Sequence, residues 1–168
     1  MTIPNSVKSI GNGAFEECVN LEKIYFNAIA MDDIDYPNNA FGNAGYYSNG
    51  IKLVIGAQVT RIPEYLFCAN FHSPYQYAKI TSVVFEEGSV CTSIGARAFS
   101  DCKNIKSIII PTSVTKIDNF AFYNCRNIAN IKYRGTESQW GDIVKGYQWA
   151  TGEDYTINYT ITYNYTGE

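Results

Sequence analysis

CTSIGARAFSDCKNIKSIIIP, from Cys91 to Pro111, and VTKIDNFAFYNCRNIANIKY, from Val114 to Tyr133, superpose without a gap. Ile94, Phe99, Cys102, Ile105, Ile108 and Ile110 fall on Ile117, Phe122, Cys125, Ile128, Ile131 and Tyr133, each 23 residues later. VKSIGNGAFEECVNLEKIYF repeats the same spacings as Val7, Ile10, Phe15, Cys18, Leu21, Ile24 and Phe26. Self-similarity at a fixed short period is the signature of a stacked repeat, in which one unit cannot bury its apolar side alone. Two further copies are irregular. Val59, Ile62 and Phe67 open one that closes with Ile80, Val83 and Phe85, and Ala40-Phe41 with Leu53-Val54-Ile55 mark the other. Five coils are therefore expected, with insertions at 29–50 and 68–79 forming loops.

The end of each unit alternates apolar and polar residues, so it reads as a strand with every second side chain inward. A turn follows, then a short extended piece such as Val7 to Ile10, then a single helical turn at AFEEC. Asn20, Asn104 and Asn127 recur two positions after the cysteine, where an amide can satisfy loop backbone. Composition agrees with short strands: Ile occurs 20 times and Leu 3, with 12 Thr and 14 Tyr.

The unit IPxSVxxIGxxAFxxCxNLxxIxF resembles the BspA-like, or Treponema pallidum type, class of leucine-rich repeat over roughly residues 1–134. That resemblance implies an α/β, right-handed solenoid with a parallel sheet on one side and short helical turns on the other. It also implies a bacterial, sometimes protist, protein of the cell surface or secreted space that binds host proteins, other cells or matrix. The partners expected are surface macromolecules, protein or glycan, and the expected state is a monomer.

Residues 135–168 depart from the repeat and are expected to cap the solenoid within the same domain. Thr136 and Gln139 have capping-box spacing, so a short helix should carry Trp140, Ile143 and Val144. After Gly152, YTINYTITYNYT alternates, with Tyr155, Ile157, Tyr159, Ile161, Tyr163 and Tyr165 on one face. At the other end Met1-Thr2-Ile3-Pro4 aligns with Ile108-Ile109-Ile110-Pro111, the end of a strand. The chain thus begins inside a coil, as it would if preceding repeats and a signal peptide had been trimmed away.

Length, 168 residues, fits one domain, and 46% apolar content excludes intrinsic disorder. A formal charge of −3 without a Lys/Arg cluster excludes a nucleic-acid footprint. The longest aliphatic run, Ile108 to Ile110, is far short of a membrane span.

Each candidate chemistry fails on its surroundings. Cys18, Cys102 and Cys125 share one column and read as buried, reduced thiols. A Cys102–Cys125 bridge is within reach, but side chains at equivalent positions point the same way. No CxxC pair supports zinc, and His72 sits alone in the FHSPYQY insertion without a nucleophile motif. Asp32, Asp33 and Asp35 with Asn38 and Asn39 lack the calcium-loop spacing and read as a solvated acidic loop. Gly11-x-Gly13 has no phosphate-loop continuation. The expectation is a protein that is not an enzyme, with no cofactor and no metal.

What remains is a binding surface. Between the last two inward positions of each strand one residue must point outward. That column reads Tyr25, Val54, Val84, Ile109 and Lys132, four of them apolar, with Lys23, Lys52, Ser82, Ser107 and Asn130 beside it. An apolar stripe with a polar rim is a candidate docking site, although β-branched residues also simply suit strands. The alternatives are a carbohydrate-capture module using Trp140, Trp149 and the tyrosines, and a spacer within a larger surface protein.

Overall fold

The computed structural model describes residues 1–36, 39–68, 77–152 and 158–167. Among these, eleven strands occur in the order β1 (Thr2–Ile3), β2 (Lys23–Phe26), β3 (Ile51–Ile55), β4 (Arg61–Ile62), β5 (Ile80–Phe85), β6 (Ser93–Ile94), β7 (Ser107–Ile110), β8 (Lys116–Ile117), β9 (Asn130–Tyr133), β10 (Val144–Lys145) and β11 (Thr160–Thr162). One helix, α1 (Glu137–Asp142), lies between β9 and β10. The strands form two sheets, β1-β2-β3-β5-β7-β9-β11 and β10-β8-β6-β4, in which every pair is parallel. Such an arrangement is a parallel β-solenoid.

The inward columns follow the repeat. Ile24, Leu53, Val83, Ile108 and Ile131 stand in register on the first sheet, as do Phe26, Ile55, Phe85 and, through Ile110, Tyr133. All of them are buried, and so are Ile62, Ile94 and Ile117 of the second sheet. On the third side of the coil the rings of Phe15, Phe41, Phe67, Phe99 and Phe122 stack with centroids 5.1, 4.9, 5.4 and 5.1 Å apart. Backbone bonds tie these turns together: the N–H groups of Phe67, Phe99 and Phe122 donate to the carbonyls of Ala98, Ala121 and Trp149 at 2.9, 2.8 and 2.7 Å.

The helical turns expected at the AFxxC segments are absent, so the class is a β-solenoid with almost no helix rather than α/β. The cause is local. Residues two before and two after the phenylalanine are left-handed: Arg97 (φ 54°) and Asp101 (φ 62°) around Phe99, Phe120 (φ 60°) and Asn124 (φ 60°) around Phe122. An α-helix needs consecutive right-handed residues. The chain instead makes successive tight turns, with Ser100, Cys102 and Ile105 N–H bonding three residues back to Arg97, Phe99 and Cys102. Gly13 (φ 67°) takes the equivalent place in the first copy at no steric cost.

Against the five coils read from the sequence, about four turns carry a strand in both sheets, those starting at β3, β5, β7 and β9. The stretch 7–10 stays unpaired, because the inserted segment after Phe26 meets it only at isolated bonds such as Asp32 N–H to Lys8 C=O (2.9 Å).

In residues 135–168 the capping box forms. Gln139 N–H donates to Thr136 Oγ1 (3.3 Å) and Thr136 N–H to Gln139 Oε1 (2.9 Å). The helix ends sooner than expected: Ile143 is extended (ψ 123°), and Val144 lies on β10, 63% exposed. β10 then pairs with β8 and β11 with β9, so the segment extends both sheets. The alternation holds from Asn158 to Thr166, with Tyr159, Ile161, Tyr163 and Tyr165 half-buried between exposed neighbours. Tyr155 and Ile157 lie outside the described residues.

The cysteine column has a specific partner that the spacing alone did not reveal. The Cys102 thiol donates to Phe67 C=O (3.2 Å) and the Cys125 thiol to Phe99 C=O (3.0 Å), each reaching the preceding coil. Cys68 and Cys91 are buried as well, and none of the five cysteines is in a disulfide. Cys18, expected buried, is exposed, and Phe15 is only half-buried. Both stand in the first coil of the structure, which a neighbour covers on one side only.

A thiol reagent should therefore find one reactive group on the native protein and four more on unfolding. Reductant should leave the melting temperature unchanged. Three or more groups reacting in the native state would contradict the buried column.

A candidate binding face on the first sheet

The outward column is a single line of neighbours. Tyr25 pairs with Val54, Val54 with Val84, Val84 with Ile109 and Ile109 with Lys132, and Thr2 and Thr162 continue the line at either edge. Parallel pairing in register does this automatically, since side chains at equivalent positions share a face. The adjoining column is Lys23, Lys52, Ser82, Ser107, Asn130 and Thr160. The line is not uniformly open. Tyr25, Val84 and Lys132 are half-buried, whereas Val54 (7%) and Ile109 (3%) are buried.

A groove of about 520 Å³ crosses this face. Tyr25, Val54 and Val84 line it together with Lys23, Lys52, Glu86, Glu87, Arg134 and Tyr165. Tyr165 comes from the tail, where its N–H donates to Tyr133 C=O (3.0 Å). Lys132 Nζ bonds to its hydroxyl (3.2 Å) and stands 4.7 Å from its ring centroid, so the ring is fixed over the end of the line. Lys23 Nζ similarly stands 4.5 Å from the Tyr25 ring centroid. Sequence reasoning missed Arg134 and Tyr165. They follow the strands rather than lie within them, and only the YTINYTITYNYT alternation hinted that Tyr165 shares a face with the tail's other tyrosines.

Other candidates are engaged elsewhere. Asp33 Oδ1 accepts from Arg61 Nη1 (2.5 Å) and from Glu64 N–H (2.9 Å). Burial pushes this carboxyl up, but those two partners outweigh it and hold it below its ordinary value. Asn39 donates to Glu16 (2.9 Å), and Asn38 lies outside the described residues. So do His72 and most of the 68–79 insertion. Among the described residues no group of three His, Cys, Asp or Glu side chains is arranged to hold a metal. Trp140, one of the aromatics on which the carbohydrate alternative drew, is buried. It packs 6.0 Å from Trp149, which also meets Phe122 (6.4 Å) and Tyr159 (5.9 Å). Trp149, itself half-buried, follows Phe122 at the end of the phenylalanine stack, and Trp140 packs behind it against Tyr133 (5.2 Å).

Among the described residues no helix is long and apolar enough to cross a membrane. No curated protein matches the sequence. The crystal structure of a leucine rich cell surface protein from Faecalibacterium prausnitzii A2-165 superposes with a TM-score of 0.60 at 30% identity. The match covers 86% of this chain and 34% of that one, so the chain spans about a third of its relative's length. A family model of the BspA type leucine rich repeat region matches residues 1–86 and 71–143, in six copies. With that match running through most of the stacked turns, the chain belongs to the BspA-type leucine-rich-repeat family.

Proposed function

We propose that the chain is a non-catalytic binding module of a bacterial secreted or cell-surface protein, docking a macromolecule on the outward face of its first sheet. The observation that carries this reading is the register line Tyr25–Val54–Val84–Ile109–Lys132, which sets an apolar strip and a groove on a face otherwise rimmed by polar side chains. A desolvatable apolar centre within a polar rim is the anatomy of a protein interface. The similar cell-surface structure supports the location, and the repeat family is one that generally carries no catalysis.

The test uses the two half-buried positions, because a charge at the buried Ile109 would unfold the protein. The double variant Tyr25→Glu plus Val84→Glu should keep its melting temperature within a few degrees and lose attachment to host cells and matrix-coated surfaces. Unchanged attachment by the folded variant would remove this face as the binding site.

A further inference from the structure

The charges on this face are distributed against the composition of the chain. The protein is acidic overall, with 16 Asp and Glu against 13 Lys and Arg. The ion pairs among the described residues, Arg61–Asp33, Lys103–Asp101 and Lys116–Asp118, all lie away from the groove. Lys23, Lys52 and Arg134 line it without an ionic partner among the described residues. Two exposed acids stand at its mouth, Glu86, which accepts from Ala57 N–H (3.1 Å), and Glu87, so three cations face two carboxylates. Unpaired cations beside an apolar floor of Tyr25, Val54 and Val84 specify the occupant's chemistry: acidic groups flanking apolar ones.

The line from Tyr25 to Lys132 crosses four interstrand gaps of ~4.8 Å, roughly 19 Å in all. An extended peptide at ~3.3 Å per residue covers that length with about six residues. An extended chain also alternates its side chains, so apolar residues can meet the floor while acidic ones reach the rim. An acidic glycan matches the cations but has no apolar side chains for the floor.

We infer that the groove binds an extended acidic peptide of about six residues, its apolar side chains on Tyr25, Val54 and Val84 and its carboxylates on Lys23, Lys52 and Arg134. This rests on the docking face proposed above and names the partner class for it. Glu87, unpaired and of the wrong sign, weakens that binding.

Fluorescence anisotropy with a labelled peptide alternating Glu with Val and Tyr provides the test, beside matched peptides carrying Gln or Lys for Glu and a labelled heparin oligosaccharide. The acidic peptide should bind saturably and more weakly at high salt. Lys23→Glu plus Lys52→Glu should weaken it about tenfold or more, and Glu87→Gln should tighten it. The Lys peptide should not bind. Equal binding of the Gln peptide, with no effect of lysine reversal, would overturn the acidic partner and leave the docking face standing. Binding of heparin alone would overturn the peptide class. Failure of all probes would also overturn the acidic-peptide assignment, and the cell-attachment result for Tyr25→Glu plus Val84→Glu judges the face separately. Melting curves of each variant confirm that it folds.

Discussion

Phe99→Ala should lower the stability of the chain by about 3–5 kcal/mol, the usual cost of truncating a fully buried phenylalanine. The ring has no exposed surface and lies between Phe67 and Phe122, at 5.4 and 5.1 Å with interplanar angles of 12° and 1°. Removing it leaves a cavity and breaks two stacking contacts. The neighbouring coils cannot close the gap, because their spacing is held by backbone bonds on three sides. At roughly 2–4 °C per kcal/mol for a chain of this size, the melting temperature should fall by about 6–20 °C. Phe15→Ala makes the internal comparison. That ring is half-buried and, among the described residues, stacks on Phe41 only, so its loss should cost clearly less. A Phe99→Ala protein that melts with the wild type would show that the stack contributes nothing.

Alkaline pH should unfold the protein well before it affects an ordinary β-protein. Burial, joined by the charge of Asp101, pushes the Cys68 thiol up to about 12. Burial pushes Cys91 up to about 11 and holds Cys102 and Cys125 well above the ordinary value of 9.0. Burial raises the Tyr133 and Tyr159 hydroxyls as well. These groups are neutral when protonated and their folded pKa values exceed the unfolded ones. Their contribution is therefore complete below pH 9 and is lost as pH rises through 11 and 12. At pH 11 Cys68 and Cys91 alone account for roughly 5 kcal/mol, at 1.36 kcal/mol per unit. That is comparable with the whole stability of a typical domain. Denaturant midpoints should be flat from pH 7 to 8.5 and then collapse, and Cys68→Ala plus Cys91→Ala should flatten the fall. A wild-type midpoint constant to pH 11 would mean that the thiols reach solvent.

What the sequence revealed and what it hid separate along one physical line. Side-chain direction repeats with the chain, so the inward isoleucines, the phenylalanine stack and the outward line from Tyr25 to Lys132 were all legible from spacing. Burial does not repeat, because it depends on neighbours. Phe15 and Cys18 hold the same register as Phe99 and Cys102 but lack a coil on one side, and they are half-buried and exposed. Backbone handedness was hidden differently. Arg97 and Phe120 carry nothing in their side chains that announces a left-handed φ, so AFSDC and AFYNC read as helical turns. In the tail, Trp149-Ala150 stands where earlier coils have Ala-Phe, and that exchange concealed a backbone that goes on pairing with both sheets. The groove needed both Arg134 and Tyr165, which no repeat position encodes.

Because each parallel strand bonds only to the turn before and the turn after, a chain pulled by its two ends would leave its stack like thread from a spool. Force would reach one coil's bonds at a time and never shear a whole sheet together. A regular coil such as the one between Ile108 and Ile131 would pay out 23 residues, roughly 80 Å of extended thread. A module built this way gives under load in small steps of 23 to 30 residues, and the turns not yet unwound keep their shape.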